Sequence, residues 1–406
     1  MRQRVIVGTK LAETVCRGLF ILVATYRLPV VDAGQFGLIA TLVGIGAFLV
    51  GFERQVDLLR CVSGSPAAEV RQRLSETFRF HAVNAWAVLP WAALLGSQAF
   101  GWSATTLALA LLILVGEYAG NQAYQAVLVD RRHYPLMALG LARVATLLAA
   151  TLGWAWLSPA TFDAEGLLLL WSGLSAVFLP ILAWLWIVAM RPAGPASNLP
   201  VHTIGAQYRA SALHFSVGLA AMAALQADRL VVGSLLNPFD IGIFFRHVTL
   251  AGLALQLFNI ASYNRVAPTV YLRVRQANRP DALRIVKVEY LRFAVALGLA
   301  CAALSAGVAI ADNVRSATGL VPAWIALLGV AVMLRGGADY AGLVLLAVGA
   351  DRRLLANQCA AVLVGVVLLI LLARAYGVFG AVLGSIATPL IYICLNLHAI
   401  RSSESA

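Results

Sequence analysis

Charged residues are scarce in this chain. Asp, Glu, Lys and Arg make up 12% of its 406 residues, about half the share usual in soluble proteins, while 61% are hydrophobic and the mean hydropathy is +0.85. Polar residues gather only in short loops, none longer than about 25 residues, so nothing is present to link soluble domains. Acids are the scarcer sign, 18 against 30 Lys and Arg. The resulting charge of +12 is spread in short clusters between apolar runs, which orients a membrane protein and does not build a nucleic-acid face. Cys16, Cys61, Cys301, Cys359 and Cys394 show no CxxC spacing, which argues against a metal site or a disulfide framework. No Gly-rich nucleotide loop precedes a Lys, no HExxH occurs, and no extramembrane domain could hold a nucleotide. The loops on the outer side are all shorter than about ten residues, too short to hold sugar as a polysaccharide polymerase or ligase must. The chain reads as a non-enzyme without cofactor or metal.

What is present is a series of apolar runs. At about 20 residues per span they predict an all-α polytopic membrane protein with twelve transmembrane helices. In the first half these lie near 8–28, 36–58, 80–99, 104–129, 136–157 and 165–190. In the second half they lie near 207–235, 240–263, a run ending at Ala311, 319–348, 354–375 and 378–400. The basic N-terminal segment runs into an apolar stretch carrying Glu13 and Arg17, without a small-residue cleavage site, and reads as a retained first helix. The Pro- and Gly-rich stretch from Arg191 marks the joint, giving an N-terminal six-helix lobe at 1–190, a cytoplasmic linker at 191–206 and a C-terminal six-helix lobe at 207–406. Of the 30 Lys and Arg, only Arg27, Arg315 and Arg374 fall on the far side and five fall within spans, leaving 22 on the side of the termini. That bias predicts that both termini are cytoplasmic. Trp102, Trp154, Trp156 and Trp324 fall at predicted outer ends, as an interfacial aromatic belt requires.

The two halves echo each other. Glu117-Tyr118-Ala119-Gly120 is followed by Asp130-Arg131-Arg132, and Asp339-Tyr340-Ala341-Gly342 by Asp351-Arg352-Arg353, at nearly the same interval. Ala33-Gly34-Gln35-Phe36 is likewise similar to Ile241-Gly242-Ile243-Phe244. With six spans per half, the repeat is expected to be parallel, its pseudo-two-fold axis along the membrane normal.

Nine charged residues fall inside spans: Glu13, Arg17, Glu117, Arg143, Asp228, Arg229, Arg246, Arg335 and Asp339. Each would cost roughly 2.5 to 3.5 kcal/mol at mid-bilayer if exposed to lipid, so they must face one another or water. Glu13 with Arg17 and Arg335 with Asp339 are four apart and can pair along a helix. Adjacent Asp228 and Arg229 cannot face each other. Polar stripes offer a second reading, a hydrated path: Glu117, Asn121, Tyr124 and Gln125 on one span, Arg246, Thr249, Gln256 and Tyr263 on another, with His214 and Asp228 on a third. Glu117 has no partner on its own helix, which makes it the expected titrating switch.

At these residues the chain resembles a known family. Gly34-Gln35-Phe36-Gly37 and Arg60 look like the opening of a polysaccharide flippase of the Wzx type. Gln226-Ala227-Asp228-Arg229-Leu230-Val231-Val232-Gly233, then Asp240-Ile241-Gly242 and Ala267-Pro268, look like its seventh and eighth helices. The resemblance implies the multidrug/oligosaccharidyl-lipid/polysaccharide flippase superfamily, with two lobes in a V around a central cavity in a bacterial inner membrane. It implies a polyprenyl-pyrophosphate-linked oligosaccharide as substrate, membrane lipids as surroundings, and a polysaccharide polymerase and chain-length regulator as partners. Arg17, Arg143, Arg229, Arg246 and Arg335, with Asn121 and Gln256, are then expected to hold the substrate. Glu117, Asp228 or Asp339 is expected to couple transport to a proton or sodium gradient. A cation-coupled multidrug exporter of the same superfamily is the alternative, and it calls for an acid-dominated cavity. A major facilitator transporter would share the twelve helices, but the loop after the second span lacks that family's Gly-x-x-x-Asp-Arg pattern.

Overall fold

A computed structural model of the chain describes residues 3–52, 54, 58, 67–129, 133–190, 203–258, 262–276, 278–314 and 320–402. The expected Asp130-Arg131-Arg132 turn, Arg60 and most of the expected linker lie outside the described residues. Within them the protein is all-helical. The α-helices placed among the described residues are α1 (Gln3–Arg27), α2 (Val30–Gly51), α3 (Ala67–Phe100), α4 (Ala104–Val129), α5 (Tyr134–Leu157), α6 (Ala164–Met190), α7 (Ile204–Leu235), α8 (Pro238–Phe258), α9 (Asn264–Arg275), α10 (Arg279–Val314), α11 (Pro322–Ala347) and α12 (Asp351–Ser402). Nine of these are long and apolar enough to cross a membrane; α1, α3 and α9 are not among them.

Short polar side chains set many of the helix starts. Ser103, Asp163, Thr203, Asn237 and Asn278 each accept a backbone N–H three residues on, at 2.7 to 3.3 Å, opening α4, α6, α7, α8 and α10. Two expected loops are largely helical. The third helix begins at Ala67, not near 80, and the stretch from 264 to 287 holds α9 and the first turns of α10. These parts are too polar to register as spans, yet pairs three residues apart support a helix there: Arg73 with Glu76 at 2.9 Å, Arg284 with Asp281 at 2.9 Å and Arg292 with Glu289 at 2.8 Å.

The helices pack into two compact units. One comprises 1–28 and 38–218, the other 29–37 and 219–406, so α2 and α7 each contribute to both. In the first unit α4 packs against α3, α5 and α6, and α1 against α5. In the second, α11 packs against α8, α10 and α12 and is buried along most of its length. The helices that carry the repeated motif, α4 and α11, thus have matching neighbours. The repeat-related Gly34 and Gly242 meet inside the second unit, where a Cβ on Gly34 would stand 2.9 Å from the Gly242 backbone nitrogen. A Cβ on Gly242 would strike the Val30 carbonyl.

α12 is 52 residues long. Drawn straight it would reach about 78 Å, more than twice the roughly 30 Å hydrocarbon core. It folds back at Gly377, whose φ of 58° and ψ of −134° suit only glycine. The arms 351–376 and 378–402 then run antiparallel. Gly365 meets Thr388 and Gly384 meets Leu369 at the close contacts that small residues permit. Gln358 donates to the Tyr392 hydroxyl at 2.8 Å, and Asn357 to the Asn396 carbonyl oxygen at 3.0 Å.

Candidate functional site

Each unit holds its own cluster of charged groups. In the first, α4 supplies Glu117, α1 supplies Lys10, Glu13 and Arg17, α5 supplies Arg143, and α6 supplies Trp171 and Ser175. Glu117 is the centre: Arg17 Nη2 lies 2.8 Å from its Oε2 and Arg143 Nη2 lies 2.8 Å from its Oε1. The Trp171 indole N–H also donates to Oε1, at 3.1 Å. Arg143 donates further to Ser175 at 3.2 Å. Glu13 takes Lys10 at 3.0 Å and Arg17 at 3.1 Å. Gly116 makes the fit possible, because a Cβ there would stand 2.6 Å from Ser175 Oγ and 3.0 Å from Arg143 Nη1.

The expected Glu13–Arg17 pair is therefore present, but the reading of Glu117 changes. It has no partner on its own helix, yet neighbouring helices bring it two guanidinium groups and an indole. With side-chain exposures of 8% for Glu117 and 3% for Arg143, the pair is shielded from water. Three cations stand against two acids, and Arg17, at 25%, is the member with room to reach a ligand.

In the second unit Asp228 of α7 accepts the Ser385 hydroxyl from α12 at 3.2 Å and the Arg229 backbone N–H at 2.8 Å. Arg229 donates through Nη1 to the Gln226 side-chain oxygen at 3.0 Å. On α11, Arg335 Nε lies 3.0 Å from Asp339 Oδ1, the expected pair. Its Nη2 donates to the Ala221 carbonyl at 3.4 Å, and its guanidinium lies 5.7 Å from the centre of the Tyr392 ring. Arg229 Nε and Arg335 Nη1 are buried and make no hydrogen bond among the described residues. Asp228, Arg229, Arg335 and Ser385 line one groove of about 70 Å³ among apolar side chains of α7, α8, α11 and α12. The surplus guanidinium donors suit an anion with several oxygens.

Seven of the ten expected site residues thus fall into one of the two clusters: Arg17, Glu117 and Arg143 in the first, Asp228, Arg229, Arg335 and Asp339 in the second. Asn121 sits half-buried one turn beyond Glu117, while half-buried Arg246 and exposed Gln256 on α8 are not among the residues lining the groove. Trp171, Ser175, Ser385 and Tyr392 carry no formal charge and lie in strongly apolar stretches, so nothing in the sequence marks them. His247, beside Arg246, was also missed. It is buried, bonds the Ile243 carbonyl through Nδ1 at 2.8 Å, and accepts the Val321 N–H at Nε2 at 2.9 Å, at the start of α11.

No protein-family model matches the chain, and no curated protein matches it in sequence. Solved structures do match in fold. The lipid II flippase MurJ, in an inward closed conformation, is similar over 98% of this chain and 88% of its own, at 11% identity and a TM-score of 0.71. An inward-facing multidrug resistance MATE family transporter of the MOP superfamily is similar over 100% of this chain and 95% of its own, at 12% identity and a TM-score of 0.66. A eukaryotic MATE transporter is similar over 98% and 94%, at 16% identity and a TM-score of 0.58. The chain has the fold of MOP-superfamily transporters.

Proposed function

We propose that the protein is a flippase that moves a polyprenyl-pyrophosphate-linked oligosaccharide from the cytoplasmic to the periplasmic leaflet of a bacterial inner membrane by alternating access, for assembly of a surface polysaccharide. The observation that carries this reading is the surplus of guanidinium donors on helices of both units. Arg17 keeps a quarter of its side chain exposed, and Arg229 Nε and Arg335 Nη1 are left without hydrogen-bond partners among the described residues. In this reading each unit is taken by itself: Arg17 and Arg143 in the first and Arg229, Arg246 and Arg335 in the second are phosphate-binding groups, and Asn121 and Gln256 are sugar contacts. The MurJ likeness adds a lipid-flipping protein of the same fold. Twelve crossings in two six-helix lobes require α1 and α3 to span despite their charges, and α12 to span twice. The partners of this reading are a polymerase and a chain-length regulator.

Among the three acids proposed for coupling, Asp228 is the strongest. Glu117 and Asp339 are each held by arginine, whereas Asp228 is held by a hydroxyl and a backbone N–H. That same feature favours the second reading, a cation-coupled multidrug exporter, which the MATE likenesses share. Complementation of a flippase-null strain separates the two. Wild type restores surface polysaccharide of matched sugar chemistry, while Arg17→Ala, Arg229→Ala and Arg246→Ala do not. Wild type that confers resistance to a cationic drug without restoring polysaccharide overturns the flippase reading. Variants as active as wild type overturn the site assignment alone.

A further inference from the structure

Between Asn264 and Arg292 the chain carries seven Lys and Arg but only Asp281 and Glu289 as acids. The structure separates these charges by depth. Asp281 and Glu289 are 19% and 13% exposed, and each is clasped by two arginines: Asp281 by Arg273 and Arg284, Glu289 by Arg265 and Arg292. The arginines reach outward from these anchors, 64% exposed at Arg265, 78% at Arg284 and 70% at Arg292. Each clasped guanidinium has five N–H groups and gives only one or two to its acid, so the outer surface is cationic and rich in unused donors.

α9 is amphipathic at helical spacing. Val266 and Val270 are buried, at 5% and 0%, on the side that meets α10, while Arg265, Leu272 and Arg275 share the outer face. Leu272 is 52% exposed between those two arginines. The outer stripe of α10 fixes the depth. It begins with Arg284 and Lys287, turns mixed at Leu291 and Arg292, and continues through exposed Val295 and Leu299 as a purely apolar face. From Arg284 to Val295 the helix rises about 16 Å, the distance from a headgroup layer into hydrocarbon.

We infer that α9 and the first turns of α10 form a docking surface for acidic phospholipid headgroups, with Leu272 entering the acyl boundary and the arginines binding headgroup phosphate. Charge complementarity and continuity with the lipid-facing stripe of α10 select the membrane surface over a soluble acidic protein. The inference does not depend on what the protein transports.

Native mass spectrometry of the full chain in detergent, with added phosphatidylglycerol or phosphatidylcholine, reads the preference directly. Wild type retains phosphatidylglycerol preferentially, and Arg275→Gln or Lys287→Gln lowers that preference about fivefold each, the factor expected per basic residue at an acidic surface. Arg374→Gln, which removes an exposed charge elsewhere in the same unit, leaves it unchanged. Should the variants fail to fold, wild type at about 1 M salt, where the Debye length is about 3 Å, loses the preference. Wild type without preference at low salt overturns the inference and leaves this face to a soluble acidic partner. An equal fall in Arg374→Gln, or a preference that survives high salt, overturns it as well.

Discussion

Arg143 and Glu117 are buried together, and neither could stay charged there alone. Removing one partner of such a pair leaves an uncompensated charge and typically costs about 3 to 5 kcal/mol. Glu117→Gln keeps an acceptor for the Trp171 indole but strands the buried Arg143 guanidinium and leaves Arg17 with Glu13 alone. We therefore expect a drop of roughly 3 kcal/mol or more in stability, measured as a fall in melting temperature of the detergent-purified protein. Arg143→Gln combined with Glu117→Gln should recover part of it, since the double change removes both charges. Gly242→Ala should cost about 1 to 3 kcal/mol in the same assay, because its Cβ would meet the Val30 carbonyl, which cannot rotate away. At this scale the sequence is informative only locally. Glu13–Arg17 and Arg335–Asp339 were legible because four residues is one helical turn. The Glu117–Arg143–Trp171 contact joins three helices, and no spacing along the chain encodes it.

Among the elements, α12 shows how a length argument and a single glycine settle a topology. Two apolar runs meeting at Gly377 were readable as two spans, and they are two arms of one hairpin with no loop between them. Gly377→Ala places a side chain on a backbone conformation that costs about 1 to 3 kcal/mol. We expect the hairpin to open at its turn, detected as new protease cleavage near Tyr376 and a lower melting temperature. α9 was not legible, because its apolar residues cover only one narrow face and its arginines gave the stretch the look of a loop. The same bias hid the polar starts of α3 and α10. Hydropathy reports where a helix meets lipid and is silent about helix that continues into the headgroups.

Across the whole molecule, the apolar runs made the all-helical fold readable, since membrane thickness restricts spanning helices to a narrow range of lengths. α1 and α3 carry charged residues and fall short in apolar content; on α1, Glu13 is buried against Arg17, which also pairs with Glu117 of α4. The orientation drawn from 22 basic residues against three predicts a labelling pattern. In a cysteine-free background, Gln276→Cys should react with a membrane-impermeant maleimide only when the cytoplasmic face is opened, and Tyr376→Cys should react from outside in intact cells. The opposite pattern would overturn the orientation and, with it, the direction of the proposed transport.

The hairpin of α12 also bears on how the protein reaches its membrane. From Leu354 to Ile400, Arg374 is the only Asp, Glu, Lys or Arg. Asn357, Gln358 and Asn396 find hydrogen bonds across the two arms, and Thr388 packs into the space left by Gly365. The paired arms can therefore satisfy much of their own polarity before any other helix arrives. They are suited to enter the bilayer during synthesis as one preassembled wedge, with a single arginine to carry across and no separate start and stop signals for each arm.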